Sequence, residues 1–310
     1  MKKIWIIGIL LMMGVVFHAE AQSTWNDALR LLEQKNYIAA MDVCDALLAE
    51  SANNASVLGV RSQIHTATGK YNLALQDADK AISIDKNSDR ALFAKAEALL
   101  YGQKDFKQAL LLYDAAIKSN AQMTEAYAGR VRAYIGMQNF KEALKVVEDA
   151  IKTFRNDAEL YFLRGYLNFQ RGVPKLAIDD YDRSLALNTN WNAYQLFFNR
   201  GLANDALSQH ESALQDFTKS IAADPNNAGG YIYRGNMLYN LARYSEAVED
   251  FMKAEVLSPD NSSVTYNIGM AYLKNNDKAS ACKYFQKSCS QGNNNACRMA
   301  VVNCSDRKTN

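Results

Sequence analysis

Residues 228–261 read AGGYIYRGNMLYNLARYSEAVEDFMKAEVLSPDN, and this stretch decides the fold. Tyr244 is followed three residues later by Ala247, and Phe251 and Ala254 continue the same face at helical spacing. The same aromatic-then-Ala pair recurs upstream as Tyr37…Ala40, Tyr71…Ala74, Phe106…Ala109 and Phe140…Ala143. Those aromatics stand 34, 35 and 34 residues apart. Pro174…Ala177, His210…Ala213 and Lys278…Ala281 are further copies with the aromatic replaced. A small residue often precedes the pair, as in Gly165, Gly201, Gly235 and Gly269. Another follows it: Ala81, Ala116, Ala150, Ser184, Ser220, Ala254 and Ser288.

Each half-period is a stretch of helical spacing, as in Ala143, Val146, Val147, Ala150 and Ile151. Gly69-Lys70 and Pro225-Asn226-Asn227 break the stretches. Pro174 sits where a second helix begins, a helical position that tolerates proline. One such unit cannot bury both faces, so neighbours must stack.

The pattern resembles the tetratricopeptide repeat family, in which small residues let two antiparallel helices approach and large ones fill between them. Tyr127, Tyr134, Phe140, Ala143, Val147 and Ala150 occupy the family's slots in one unit; Tyr231, Gly235, Tyr244, Ala247, Phe251, Ala254 and Pro259 do so in another. The resemblance implies an all-α, right-handed superhelical solenoid of eight helix-turn-helix units plus a C-terminal capping helix. The units are 21–54, 55–88, 89–123, 124–157, 158–193, 194–227, 228–261 and 262–295. The third has one extra residue, and Asn192-Ala193 are inserted before the sixth.

The 310 residues carry 35 basic and 33 acidic side chains, so no basic excess exists to hold nucleic acid. With 3 Pro and 15 Gly, tight-turn β architectures are disfavoured. Met1-Lys2-Lys3, the apolar run Ile4–Phe17 and Ala19-Glu20-Ala21 read as a signal peptide over 1–21. The run is short for a membrane span. Cleavage after Ala21 predicts an exported, periplasmic or secreted protein, bacterial by its short Lys-Lys start, with no membrane insertion after cleavage; the alternative is an uncleaved membrane anchor.

Four units pair an Arg in the first helix with an Asp in the second: Arg61 with Asp77, Arg164 with Asp180, Arg200 with Asp216, and Arg234 with Asp250. Each pair is expected to bridge the helices of its own unit.

Of five cysteines, Cys44 fills a core slot, while Cys282, Cys289, Cys297 and Cys304 flank the break at Gly292-Asn293 symmetrically. Seven helical residues rise about 10.5 Å, too far for a Cys282–Cys289 bond. A helical hairpin favours Cys289–Cys297 and Cys282–Cys304, clasping a cap over 296–310. The alternative is structural zinc, whose tight C-x₂-C pairs are absent.

No catalytic motif appears, and His65 and His210 fill aromatic slots as packing residues. No cofactor or metal is expected. In the family, first helices line a concave groove. The groove positions of this chain hold Phe162, Tyr166, Phe169, Phe198 and Leu202, then Ile232, Tyr239, Tyr266 and Met270. Aromatic residues with few charges make interface anchors. The family's carboxylate clamp is not reproduced: Phe198 and Leu202 replace its Lys and Asn. The reading is a non-enzymatic interaction scaffold of the cell envelope, gripping a protein or peptide segment. The alternative is a carbohydrate or cell-wall-fragment binding protein using the same groove, with Asn236, Asn240 and Gln170 as polar neighbours.

Overall fold

The computed structural model describes residues 24–188 and 192–304, so the expected signal peptide lies outside the described residues. The fold is all-α: among the described residues there are 17 α-helices and no strand. The chain divides into two compact bodies, one ending at Ser119 and one beginning at Asn120. The first holds α1 (Trp25–Glu33), α2 (Tyr37–Glu50), α3 (Ala55–Ala67), α4 (Tyr71–Ile84), α5 (Asp89–Ala98) and α6 (Phe106–Ser119). The second holds α7 (Thr124–Gly136), α8 (Phe140–Thr153), α9 (Ala158–Gln170), α10 (Pro174–Leu187), α11 (Ala193–Ala206) and α12 (His210–Ala223). It continues with α13 (Ala228–Asn240), α14 (Tyr244–Leu257), α15 (Ser262–Lys274), α16 (Lys278–Ser290) and α17 (Asn294–Cys304). Within each body an odd-numbered helix packs on the next even one, and that pair packs on its neighbour.

Short polar residues start several of the helices. Asn54, Ser88, Asp157 and Asp277 each accept a hydrogen bond from the backbone N–H three residues on. Each such cap satisfies an orphan donor and contributes about 1 kcal/mol. The turn inside each pair closes differently. Lys35, Gly69, Gln138, Gly172, Ser208, Ala242 and Asn276 all take positive φ. The next N–H then reaches back five residues, as Arg243 N to Leu238 O at 2.8 Å and Asn139 N to Tyr134 O at 2.9 Å. The extra residue of the third unit is absorbed at this point. A π turn over Leu99–Gln103 extends α5, and Asp105 N reaches six residues back to Leu99 O.

The second constraint is a close contact inside each pair. Tyr181, Phe217, Phe251 and Phe285, from α10, α12, α14 and α16, are among the largest fully buried side chains. Each ring edge faces a glycine of the preceding helix. A Cβ on Gly165, Gly201, Gly235 or Gly269 would lie 2.7–2.8 Å from ring carbon. Where the ring is missing the glycine is too: Val131 faces the Val147 helix, and both are fully buried in one cluster.

In the last pair α17 folds back on α16. It begins at Asn294, two residues before the expected boundary, because Gly292 at φ 91° ends the turn and Asn293 caps the helix. Cys282 joins Cys304 with Cα atoms 5.5 Å apart, and Cys289 joins Cys297 at 4.7 Å. Ala296 alone of α17's 11 residues is fully buried, so the two bonds, each worth about 2–4 kcal/mol, do most of the holding. Cys44 is free and buried, and burial pushes its thiol up to about 12.

Side chains at positive φ cost about 1 kcal/mol relative to glycine. A Cβ on Gly172 (φ 75°) would meet nothing within 4 Å. Gly172→Ala is therefore expected to lower stability by about 1 kcal/mol through the backbone alone, and Ala242→Gly to raise it by a similar or smaller amount, both read by chemical denaturation.

Candidate binding groove

The first helices of the repeats in the second body carry the groove candidates, and the structure sorts them into three places. The first is a cavity of about 240 Å³ between α13 and α15, lined by Asn236, Tyr239, Tyr266, Asn267 and Met270 with Phe251 at its floor. The Asn267 amide donates to Asn236 Oδ1 at 3.4 Å, a long contact that leaves both amides able to turn to a ligand. Burial, with Tyr244 and Tyr266 nearby, pushes the Tyr239 hydroxyl above its ordinary pKa, so it stays a donor at neutral pH. The Tyr239 ring meets Tyr244 edge-on at 5.3 Å, and the Tyr266 ring lies 5.9 Å from Phe285. Both rings are thus backed by other rings and half-exposed in front, which keeps them in place without a ligand.

A second cluster forms around Phe198. Its ring stacks on Tyr194 at 5.5 Å and meets Tyr233 edge-on at 5.1 Å, with Phe217 beneath at 5.8 Å. Leu202 packs beside it, while Ile232 packs on the core around Phe251. The third place is largely core. Phe162 is only 9% exposed, because its ring turns onto Tyr181 at 5.8 Å instead of facing outward. Phe169 packs on the same core cluster, and Tyr166 is half-buried. Sequence spacing missed Tyr194, Tyr233 and Asn267. Tyr233 and Asn267 each adjoin a residue that the spacing did select, so a wider helical face would have included them.

The Arg–Asp pairs, Arg61–Asp77 in the first body and the other three in the second, each bridge their own two helices. Arg234 on α13 grips Asp250 on α14 through two bonds of 2.7 and 2.6 Å, and Arg61 grips Asp77 through two of 2.8 Å. Arg200 Nε donates to Asp216 at 2.9 Å, and Arg164 Nε to Asp180 at 3.0 Å. All four aspartates are buried. The hydrogen bonds to Asp250 hold the Arg234 guanidinium above its ordinary pKa. The spare guanidinium edge reaches the preceding repeat: Arg61 to Asp45 at 3.0 Å, Arg200 to Asp182, and Arg234 to Thr218 at 3.4 Å. Each pair thus ties its two helices together, and the pairs of Arg61, Arg200 and Arg234 also lean on the preceding repeat. Asn168 and Asn204 add an amide to Asp180 and Asp216, each at 2.9 Å.

The two histidines do not simply replace packing rings. His65 Nε2 lies 3.7 Å from Asp77, at the place Asn168 and Asn204 hold in their repeats. His210 begins α12 with Nδ1 3.2 Å from Asp205. No group of three metal-ligating side chains is found among the described residues.

Sequence profiles of the tetratricopeptide repeat match residues 100–165, and 55–88, 194–227 and 263–291, together just over half of the chain. A TPR repeat-containing protein of Methanocaldococcus jannaschii is 23% identical over 274 residues, 85% of this chain; the chain spans 41% of that relative's length. Among solved structures, the APC/C hetero-tetramer Cut9–Hcn1 superposes on 90% of this chain and 55% of its own, with a TM-score of 0.69 and 16% identity. A tetratricopeptide repeat protein of Parabacteroides merdae covers 79% of this chain and 96% of its own, with a TM-score of 0.54 and 17% identity. At these identities the likeness is one of fold.

Breaking a buried ion pair from one side leaves a charge without its partner, at a cost of about 3 kcal/mol. Arg234→Ala and Asp250→Ala are each expected to destabilise by about that much. A double-mutant cycle should return a coupling above about 1 kcal/mol. Zero coupling in denaturant melts would show the pair to be ornamental.

Proposed function

The chain belongs to the tetratricopeptide repeat family, whose members mediate protein–protein interaction, and we propose from that premise that it is a non-enzymatic scaffold that grips a partner segment on its second body. The observation that carries the reading is the α13–α15 cavity. Two half-exposed tyrosines, a methionine and two side-chain amides converge there, with no charged side chain in the lining. Rings and a thioether take an apolar side chain of the partner, while Asn236 and Asn267 hydrogen-bond its main chain. Aromatic anchors in a pocket are where binding energy concentrates. An uncharged lining selects an uncharged segment, because a buried unpaired charge would be costly.

We also assign the mature protein to an oxidising compartment outside the cytoplasm. The signal-like pattern of residues 1–21 and the two joined cysteine pairs support that assignment. No helix among the described residues is long and apolar enough to cross a membrane.

The test is selection of displayed peptides on the immobilised full chain, beside a glycan array. The wild type is expected to enrich uncharged peptides with an apolar anchor. Tyr239→Ala with Tyr266→Ala should weaken the best of them by at least about 100-fold, two anchors at roughly 1.4 kcal/mol or more each, with the fold retained by circular dichroism. Enrichment unaffected by the double variant, or binding to glycans alone, would overturn the reading.

A further inference from the structure

His65 stands where two sister repeats place an asparagine, and the substitution has chemical consequences. Asn168 and Asn204 complete the buried Arg–Asp pairs of their repeats with an amide that carries no charge at any pH. In the second repeat the imidazole Nε2 is 3.7 Å from Asp77 Oδ2, beyond a hydrogen bond, and Nδ1 is buried with no partner. The side chain is 13% exposed. The charged groups around it are Asp45 of α2, Arg61 of α3, Lys70 before α4 and Asp77 of α4. Asp77 already receives two bonds from Arg61, and Asp45 receives a third. A proton on His65 would thus put a cation beside Arg61 and Lys70 and create a buried N–H with no acceptor.

We propose that His65 makes the second repeat acid-sensitive: protonating it loosens α3 from α4, whereas the α9–α10 pair built on Asn168 stays closed. Burial, the largest influence, lowers the His65 pKa in the folded state, and Arg61 and Lys70 push the same way against Asp77 and Asp45. The unfolded chain therefore binds the proton more tightly. Stability is complete above the ordinary histidine value of 6.5 and is lost as pH falls through and below it.

Hydrogen exchange of the full chain, measured by mass spectrometry from about pH 7.5 to about pH 5 and corrected for intrinsic rates, tests this. Peptides from α3 and α4 are expected to lose protection relative to α9 and α10, about ten-fold for each unit by which folded and unfolded pKa differ. His65→Asn should abolish the difference, since the amide can reach Asp77 as Asn168 reaches Asp180. His65→Leu is the second variant, because Leu238 fills the same place in the repeat that carries Arg234. Equal pH profiles for α3–α4 and α9–α10, a profile that survives both substitutions, or greater protection of α3–α4 in acid would each overturn the proposal.

Discussion

The contact on which the rest of the molecule depends is that of a glycine in the first helix with a ring in the second. In four successive repeats the space for a side chain on Gly165, Gly201, Gly235 or Gly269 is occupied by Tyr181, Phe217, Phe251 or Phe285. A close-packed interior has no slack for another methyl there. The ring edge therefore sets the separation of the two helices in those four repeats. Repeats without the glycine differ among themselves: Val131 packs with Val147 in one buried cluster, whereas α5 has no glycine and the third repeat still buries a ring, Tyr113, 5.9 Å from Phe93.

The polar and functional features follow from that spacing. With the helices held close, an arginine one residue before the glycine reaches the aspartate one residue before the ring, and both bonds form at 2.6–2.7 Å in Arg234–Asp250. The guanidinium has an edge left over, and it turns to the preceding repeat. On the other side the ring's far face becomes floor. Phe251 underlies the α13–α15 cavity, and Phe217 supports Phe198 and Tyr233. One ring thus closes the helix pair and backs the side chains in front of it.

Much of this was legible in the sequence, because repetition multiplies weak signals. A single aromatic-x-x-Ala pair means little, but its return at fixed spacing reveals paired helices and places each Arg opposite its Asp. What escaped was written by backbone hydrogen bonding instead of side-chain type. Lys35, Gln138 and Ala242 adopt the left-handed turn that glycine marks at Gly69 and Gly172, because the five-residue closing bond imposes it whatever the side chain. The π turn at Leu99–Gln103 has the same origin: one extra residue is accommodated where a helix can widen. Helical spacing places Phe162 on the groove face but does not give its rotamer, and its ring turns inward to Tyr181. His65 fills an aromatic slot by its spacing, and what sets it apart is the 3.7 Å distance of its Nε2 from Asp77.

The most direct measurement is a double-mutant cycle on Gly235 and Phe251 in the full chain, followed by chemical denaturation. Gly235→Val drives a side chain into the ring, and Phe251→Val leaves a void; each is expected to cost about 3 kcal/mol. Together they recreate the Val131–Val147 arrangement of the fourth repeat. The account predicts that the double variant regains most of the loss, through a favourable coupling of at least about 2 kcal/mol. Losses that simply add would show that the glycine and the ring do not set the helix spacing.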